Sequence, residues 1–399
     1  MTAQLAKKLA KIKIEMDEDF ACKFSLCKDR KLTIDDARVE VKSFQALDKH
    51  GFLINWSDEG EAIFHYKCWE LIVDSVKGKR STSFHLNDTE KDMIHEAWKT
   101  AEYHDSTEHL KQKAYQIARI ILDSKYMIAF TGAGISTAAG IGDFRGKSGK
   151  WTEQDRSKTY GAKAKPSRSK RNFIYEELRP TYTHEALAKL IEMGHIKYLI
   201  SQNCDGLHRL SGVPFDSLAE LHGNAYHERC EDCTARYERS HAIRTVQGGN
   251  ALKKCSTCGH CHRSGKKCEQ PGCNGYLMNT IINFGDNLES EVLDKAIYNA
   301  KKGDAVLCLG TTLRVSPANS LVEMGKQPAR IIICNRQSTP CDALCSNRDS
   351  KDRRLGARVY GDCDALMSEV MKYMLPPNEL EEWENARVDR MKVYDSRRK

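Results

Sequence analysis

The sequence contains no apolar run that approaches the roughly 18 residues of a membrane-spanning helix. Its first residues, MTAQLAKKLAKIKIEM, include basic side chains but neither a long apolar stretch nor a small-residue cleavage site. A secretory signal is therefore not expected. The sequence also shows no internal repeat. These absences argue against a membrane protein, a membrane partner and a secreted protein.

Composition and charge are moderate rather than extreme. The 399 residues are 40% hydrophobic and 30% charged, which is typical of a soluble globular protein with one large and one small domain. The net charge of +8 comes from 63 basic and 55 acidic residues. Such an excess fits acidic partners such as DNA or chromatin, and it fits an ordinary solvated surface as well.

Cysteine is abundant. Of the 16 cysteines, eight lie between Cys204 and Cys273 and three lie near the N-terminus. Without an expected secretory signal, disulfides are not the predicted use, and close cysteine pairs in an intracellular protein usually bind metal.

Short apolar runs alternate with helical patterns over residues 110–229 and again from about residue 276. Four runs are predicted to be buried strands: Tyr126–Thr131, Tyr198–Ser201, Ala305–Gly310 and Arg330–Asn335. Continuous apolar strands joined by helices indicate a parallel sheet covered on both faces, hence an α/β, Rossmann-like fold. Ligands of such sheets bind at the carboxyl ends of the strands.

The composition changes along the chain and predicts four parts. They are an N-terminal domain over residues 1–100, a Rossmann-like domain over 110–229 and 276–375, a zinc-binding module over 230–275, and a charged C-terminal tail over 376–399. The segment Asp155–Asn172 holds seven Lys or Arg residues and no apolar cluster, which predicts a loop. Its basic run fits a nuclear localisation signal, a nucleic-acid contact or a solvated loop equally well.

A glycine turn follows the first predicted strand. In TGAGIS, residues 131–136, the glycines let the backbone approach a phosphate at the start of a helix. The turn alone is weak evidence, because such turns also arise for packing. The motif GDFRG at 142–146 and Trp151 follow it.

Four motifs in order carry a specific resemblance: GAGIST…GDFRG…W, SQNCDGLH, ELHGN and GTTLRV. Over roughly residues 115–375 the sequence resembles the sirtuin family of NAD-dependent protein deacylases. The short segment between DFRG and Trp151, and INFGD further on, resemble the class IV branch of nuclear and nucleolar sirtuins. The resemblance implies a nuclear enzyme that uses NAD to deacylate lysines of proteins such as histones, and that releases nicotinamide and O-acyl-ADP-ribose.

The resemblance also implies a role for individual residues. His222 is implied as the catalytic base, and Asn203 as a second catalytic residue that also binds the cofactor. The remaining NAD-binding residues are Gly132, Ala133, Gly134, Ser136, Asp143, Phe144, Arg145, Gln202, Asp205, Gly310, Thr311, Thr312, Asn335 and Cys363, with Asp362 near the adenine. The strand that pairs with an acyl-lysine peptide contains Asn283, Phe284 and Gly285.

The residue types agree with these roles, but each has a simpler interpretation. An unperturbed histidine titrates near pH 6.5 and can accept a proton at neutral pH, yet a single histidine is more often a core or surface residue. Asp205 follows a strand, where an aspartate often caps a helix.

The sequence departs from the family pattern at three positions. Gly142 and Lys147 stand where proline is usual, and Asp286 stands where glutamate is usual. These departures leave the rate and the acyl preference open.

Two other functions are consistent with the sequence. One is transfer of ADP-ribose from NAD to protein. The other is a non-catalytic, zinc-bearing chromatin adaptor, but the intact His222, Asn203 and Asp205 argue against an adaptor.

The cysteine-rich module has a clear first half-site and two candidates for the second. Cys230 and Cys233 have the spacing of a tetrahedral metal half-site. The resemblance favours Cys268 and Cys273, just before MNTIINFG, as the other pair. Cys255 and Cys258 could compete with that pair or hold a second ion with Cys261 and His260 or His262. A four-cysteine site is closed and therefore structural.

The N-terminal set is Cys22, Cys27, His65 and Cys68, which together could hold a second zinc ion. FHYKCWE is similar to the zinc finger of poly(ADP-ribose) polymerases, which binds DNA breaks, although the first cysteine pair has four residues between its members where two are usual. Its aromatic neighbours Phe64, Tyr66 and Trp69 would suit nucleic acid. The alternative is a set of buried core cysteines.

Overall fold

The computed structural model describes residues 21–47, 51, 53–79, 83–147, 149–160 and 175–398. The chain divides into two compact units, the first made of residues 1–108 and 152–164 and the second of 109–151 and 165–399. None of the helices in the described ranges is long and apolar enough to cross a membrane.

The described part of the first unit includes an antiparallel sheet and two helices that follow its second strand. The sheet has the order β2-β1-β3, with β1 at Arg38–Lys42, β2 at Glu61–His65 and β3 at Glu102–His104. Helix α1 spans Tyr66–Val76 and α2 spans Asp88–Lys99. A reciprocal capping box starts α2, because Asn87 Oδ1 accepts a hydrogen bond from Glu90 N and Glu90 Oε2 accepts one from Asn87 N.

Aromatic residues fill the core of this unit. Phe64 and Trp69 are fully buried with ring centroids 5.1 Å apart. They pack with aliphatic residues of both helices. Phe64 and Trp69 therefore belong to the core of a small domain, and neither ring is exposed for contact with nucleic acid.

The second unit is built on a six-stranded parallel sheet. Its strands are β4 Met127–Thr131, β5 Ile196–Ser201, β6 Leu218–Glu220, β11 Ala305–Leu309, β12 Ile331–Cys334 and β13 Ala357–Val359, in the order β13-β12-β11-β4-β5-β6. Each neighbouring pair is parallel. The direction of strand succession reverses between β4 and β11, which is the switch point of a doubly wound, Rossmann-like sheet. The predicted fold class is confirmed.

Both faces of this sheet are covered. Met127 and Ala129 of β4 face one core, and Ile128 and Phe130 face the other, because successive strand residues point to opposite sides. The first core is closed by α3 Thr107–Asp123, α5 Tyr182–Glu192 and α8 Cys363–Met374; the second is closed by α7 Ser290–Lys302 and a 3-10 helix at Ala318–Glu323. Short helix α6 spans Leu207–Leu210.

The cysteine-rich segment forms a separate antiparallel sheet within the second unit. Its strands are β7 His227–Cys230, β8 Arg236–Glu238, β9 Arg263–Lys267 and β10 Tyr276–Asn279, in the order β8-β7-β10-β9. Along the chain, this sheet lies between strands β6 and β11 of the parallel sheet.

Two segments differ from their expected form. The first residues of the predicted loop 155–172 lie in helix α4, Lys150–Tyr160, and residues 161–172 lie outside the described residues. The charged tail forms helices α9 Pro377–Asn385 and α10 Arg387–Arg397. Tyr394 is buried and donates a hydrogen bond to Glu185 Oε1 at 3.1 Å. Leu380, Trp383 and Met391 of the same segment also pack against the core, so the charged composition of the tail concealed several apolar contacts.

Candidate functional site

The loops after β4 and β11 meet at the switch point. Gly134 N donates a hydrogen bond to Gly310 O at 2.8 Å, and a Cβ at Gly134 would lie 2.6 Å from Gly310 Cα. Glycine is thus required here because two backbones touch, which agrees with the packing alternative that the sequence left open beside a phosphate site. The residues that follow, Ala133–Ala139, form a short 3-10 helix that ends at Gly140, where φ is +91°.

A buried polar cluster lies beside these loops. Ser136 Oγ donates to Asp205 Oδ2 at 2.7 Å, and Asn203 Nδ2 donates to Gly132 O at 3.1 Å. Asp205 Oδ1 also accepts from Leu207 N, the first residue of α6, at 2.9 Å, although the N-cap residue of that helix is Gly206. The cluster joins the first turn of the site to the loop after β5.

Gln202 links the loops after β4, β5 and β11. Its backbone N donates to Thr131 O at 3.0 Å, and its Nε2 donates to Thr311 Oγ1 at 3.3 Å. Thr311 Oγ1 in turn accepts from Leu313 N at 3.2 Å. Three loops that are distant in sequence are therefore held at one end of the sheet.

His222 is oriented by the same residue. Its Nδ1 hydrogen-bonds the Gln202 carbonyl oxygen at 3.0 Å. A carbonyl oxygen only accepts, so Nδ1 carries the proton and Nε2 of the neutral ring carries a lone pair. Burial lowers the pKa of His222 below its usual 6.5, and the Gln202 hydrogen bond opposes this shift. The ring is consequently a neutral base at pH 7.

The turn after His222 packs tightly on the segment that follows β10. Gly223 has φ +79°, and a Cβ there would lie 1.8 Å from Thr280 O, so a larger residue would clash. Ile282 N donates to His222 O at 3.0 Å. The backbone of His222 is thereby fixed to residues 280–282.

An aromatic group borders the site. The rings of Phe144 and Trp151 stack with centroids 6.0 Å apart, and Trp151 meets Phe284 edge to face at 5.2 Å. Phe144 is 45% exposed and Phe284 is 72% exposed. The carboxylate of Asp143 accepts from Gly146 N at 3.1 Å and closes the turn that also carries the exposed Arg145.

Residues 283–285 form a turn rather than the expected strand. Asp286 N donates to Asn283 O at 3.0 Å, and the Asp286 carboxylate accepts from Asn283 N at 3.0 Å. Gly285 has φ +96°, which an extended strand does not accommodate. The sequence pattern could not reveal this closure because it depends on the side chain of Asp286.

The residues expected near adenosine lie after β12 and before α8. Asn335 Nδ2 donates to Gln337 O at 3.0 Å, and Arg336 pairs with Asp362. Cys363 is buried with its Sγ 3.7 Å from Cys334 O, so its thiol belongs to the core and only its backbone borders the sheet edge. Thr312 is half-buried after β11.

Glu220 and Asn224 belong to the site but were missed by the sequence argument. Asn224 Nδ2 donates to Glu220 Oε1 at 2.7 Å, and Glu220 lies 3.6 Å from His227 Nδ1. Burial raises the pKa of Glu220 to about 8, with the Asn224 hydrogen bond opposing and Asp205 reinforcing the shift. The motif ELHGN places both residues next to His222, but only the fold shows that their side chains are hydrogen-bonded to each other.

The cysteines of the inserted sheet converge in one group. The sulfur atoms of Cys230, Cys233, Cys268 and Cys273 all lie within 4.8 Å of one another. The distance is 3.6 Å for the Cys230–Cys273 pair and 3.5 Å for the Cys233–Cys268 pair. Four thiolates about 2.3 Å from a tetrahedral zinc ion would be roughly 3.8 Å apart, so the group fits zinc. Cys255 and Cys258 are not part of it.

The thiol of Cys268 is also prepared for metal binding. The Tyr237 hydroxyl lies 3.2 Å from its sulfur and lowers the pKa of Cys268 to about 6. A thiolate is the form that ligates a metal ion.

The N-terminal set forms a second group in the first unit. The ligand atoms of Cys22, Cys27, His65 and Cys68 lie within 4.8 Å of one another, with 3.5 Å between Cys27 Sγ and His65 Nδ1. His65 Nε2 hydrogen-bonds Lys31 O at 3.0 Å, so the lone pair is on the nitrogen that faces the thiol. These donors fit a three-cysteine, one-histidine zinc site.

Fold and site together define a class: a Rossmann-like α/β protein with polar loops joined at the switch point and a cysteine-rich sheet inserted in the chain. The comparisons with known proteins then identify the family. Residues 132–317 match the model of the Sir2 family.

Three relatives show how far the likeness extends. The chain is 36% identical over 281 residues to NAD-dependent protein deacetylase SRT1 of Arabidopsis thaliana, covering 69% of this chain and 53% of that protein. It is 32% identical over 271 residues to NAD-dependent protein deacetylase Sirt6 of Drosophila melanogaster, covering 68% of this chain and 78% of the relative. It is 34% identical over 277 residues to sirtuin-7 of Bos taurus, covering 67% and 61%.

The chain belongs to the Sir2 family, and the resemblance to sirtuins is confirmed. The matches to Sirt6 and sirtuin-7 favour the class IV branch. The chain spans about half the length of the SRT1 relative.

Proposed function

We propose that the protein removes acyl groups from protein lysines with NAD, giving nicotinamide and O-acyl-ADP-ribose. The observation that carries the proposal is the His222–Gln202 hydrogen bond, which leaves a neutral base beside the loops of the switch point. The three relatives named above are each NAD-dependent protein deacetylases.

The donor set fits NAD. Amide, hydroxyl and carboxylate groups lie together at the carboxyl end of the sheet, where a ribose and a carboxamide find partners. We assign Gly132, Ala133, Gly134 and Ser136 to the diphosphate side, Gln202, Asn203 and Asp205 to the nicotinamide riboside, and Gly310, Thr311, Thr312 and Asn335 to the adenosine. Because the Cys363 thiol is buried, we assign only the backbone of Cys363 to NAD binding.

NAD and the side chains of the protein contribute different parts of the reaction. NAD would supply the ADP-ribose group that accepts the acyl group as nicotinamide leaves. His222 accepts a proton at Nε2 from a ribose hydroxyl, and Gln202 keeps the ring in the tautomer that can do so. Asn203 positions the nicotinamide ribose. Phe144, stacked on Trp151, would lie over the nicotinamide ribose.

The acyl-lysine substrate would enter beside the turn at Asn283–Gly285. Phe284, 72% exposed and packed against Trp151, offers an apolar surface for the acyl-lysine stem. An extended substrate peptide would bind mainly through its backbone, which tolerates different sequences.

We further propose that zinc stabilises both cysteine groups and that the protein works in the nucleus on chromatin proteins such as histones. The closed four-cysteine geometry supports a structural ion. The charge of +8 and the exposed basic residues Lys28, Arg30 and Lys31, next to Cys27, support an acidic partner such as DNA.

The test is a product analysis. The full chain is incubated with NAD and a panel of acyl-lysine peptides and read by mass spectrometry. We expect free lysine, nicotinamide and O-acyl-ADP-ribose in equal amounts, and about a 100-fold slower release of the deacylation products by the His222→Ala variant. Peptide or protein carrying ADP-ribose instead would favour the transferase alternative. Absence of every product from folded, zinc-loaded protein would overturn the proposal.

A further inference from the structure

A third group of metal-ligating side chains lies in the inserted sheet. The ligand atoms of Cys255, Cys258, His262 and Asp286 are all within 4.8 Å of one another. His262 Nε2 is 3.3 Å from Cys258 Sγ and 3.4 Å from Asp286 Oδ2, and Cys255 Sγ is 3.4 Å from Asp286 Oδ1. Tetrahedral zinc at ordinary bond lengths would place a sulfur roughly 3.6 Å from the nitrogen or the oxygen, the nitrogen roughly 3.4 Å from the oxygen, and the two sulfurs roughly 3.8 Å apart.

His262 is oriented as a ligand. Its Nδ1 hydrogen-bonds Asn279 Oδ1 at 3.2 Å, and Asn279 N donates to His262 O at 2.8 Å. With the proton on Nδ1, the Nε2 lone pair points at the thiol and the carboxylate. Metal-binding histidines are regularly held in this way by an acceptor on the other ring nitrogen.

The turns at Cys255–Cys258 and at Cys230–Cys233 have the same backbone form. Gly259 N donates to Cys255 O at 3.0 Å, as Thr234 N donates to Cys230 O at 3.2 Å. The fifth residue of each turn has positive φ, +75° at Gly259 and +62° at Thr234. The second turn thus repeats the form of the first, which belongs to the four-cysteine group.

We propose that Cys255, Cys258, His262 and Asp286 bind a zinc ion of their own, separate from the four-cysteine ion. Thiolate and imidazole ligands favour zinc over the hard cations, and the single carboxylate completes four donors. Cys261 is outside the group, with its sulfur 3.9 Å from Arg263 O.

The ion would anchor the turn at residues 283–286. Asp286 closes that turn, and the segment just before it is bonded to His222 through Ile282 N. The metal site therefore connects the inserted sheet to the backbone beside His222. Whether this site binds zinc does not depend on the proposed function. Only its role in substrate binding rests on that proposal.

Metal counting on the full-length protein tests the site. Zinc per chain is measured in the unmodified protein and in Cys258→Ser, Asp286→Asn and Cys261→Ser, the last being a matched control in the same loop. We expect Cys258→Ser to hold one ion fewer and Cys261→Ser to hold the same number. Unchanged zinc in Cys258→Ser, or equal loss from Cys261→Ser, overturns the proposal.

A second measurement needs no variant and covers the case in which Cys258→Ser fails to fold. The unmodified protein is alkylated and mapped by mass spectrometry, before and after zinc removal by a chelator. We expect Cys255 and Cys258 to react only after chelation and Cys261 to react before it. Equal alkylation of all three before chelation overturns the proposal. Neither readout uses enzymatic activity, so a failure here is distinct from a failure of the proposed reaction.

Discussion

The Nδ1 atom of His222 lies 3.0 Å from the carbonyl oxygen of Gln202, and the side chain of Gln202 reaches Thr311 on another loop. One residue therefore sets the tautomer of the histidine and joins the loops of two strands. Since burial lowers the pKa of His222 below 6.5, the neutral ring predominates at pH 7.

The first prediction concerns the pH dependence of deacylation. A base must be unprotonated, so kcat/KM should be flat from pH 8 to pH 7 and fall as the pH drops through the lowered pKa, below 6.5. His222→Ala should reduce kcat by about two orders of magnitude and remove this acidic limb. The measurement is steady-state kinetics at fixed ionic strength.

Two controls accompany the profile. NAD affinity and the thermal midpoint of His222→Ala should stay close to those of the unmodified protein, because the substitution removes one half-buried ring. An acidic limb that persists unchanged in a residually active His222→Ala protein would assign the titration to another group.

Strands that are covered on both faces have a local signal in the sequence. The buried strands at Met127–Thr131 and Ile331–Cys334 were predicted to within about one residue, because a strand covered on both faces is a continuous apolar run. Polar residues directly after strands, such as Asn203 and Gln202, were likewise predictable and lie at the switch point.

What the sequence did not reveal depends on contacts between distant segments. Asp286 joins Cys255, Cys258 and His262 across more than twenty residues, and no spacing rule relates a lone aspartate to a cysteine pair. Tyr394 is buried through its bond to Glu185, within a segment whose composition indicates exposure. Such pairings are set by the tertiary fold.

The second prediction concerns the four-cysteine group. Cys230→Ser and Cys268→Ser should each lower the zinc content and the thermal midpoint, because a structural ion contributes folding free energy directly. Cys255→Ser should lower the midpoint less, since Cys230 is fully buried at the centre of the inserted sheet while Cys255 lies in a loop. Calorimetry of the three variants, with Cys261→Ser as the control, checks this order. A larger loss from Cys255→Ser than from Cys268→Ser would reverse the assignment of the principal ion.

The third prediction concerns two buried histidines beside the site. The rings of His184 and His208 lie 4.8 Å apart, and His208 Nε2 hydrogen-bonds Thr131 Oγ1 at 2.9 Å. Burial lowers the pKa of each to about 3. In the unfolded chain both titrate near 6.5, so between pH 6.5 and pH 3 the unfolded state binds more protons.

The contribution of these two histidines to stability should accordingly be full above pH 6.5 and fall as the pH drops below it. Two such groups give a slope of at most about 2.7 kcal/mol per pH unit. Urea unfolding at pH 7.5 and pH 5.5 measures the slope, with zinc content checked at both values. His208→Gln should roughly halve this contribution, and an undiminished slope in that variant would show that the pair is not its source.

The last prediction concerns DNA binding by the first unit. Lys28, Arg30 and Lys31 are exposed in the loop that follows Cys27, where the N-terminal metal group would hold the backbone. If these side chains contact phosphates, replacing all three by Gln should weaken binding to a DNA duplex. It should also reduce the slope of log affinity against log salt by up to about 2.7, since each phosphate contact contributes about 0.9.

The matched control is Gln at Lys79, Lys91 and Lys99, which are also exposed in the first unit and remove the same charge. Full-length protein and both triple variants are titrated with duplex DNA at two salt concentrations. A loss confined to the loop variant supports a local phosphate contact, because the change in net charge is identical. Equal losses of DNA affinity in both triple variants would mean that only the net charge matters. If the unmodified protein does not bind DNA, DNA is rejected as the partner of this unit. A protein partner is then the alternative, and binding through an apolar contact would depend less on salt.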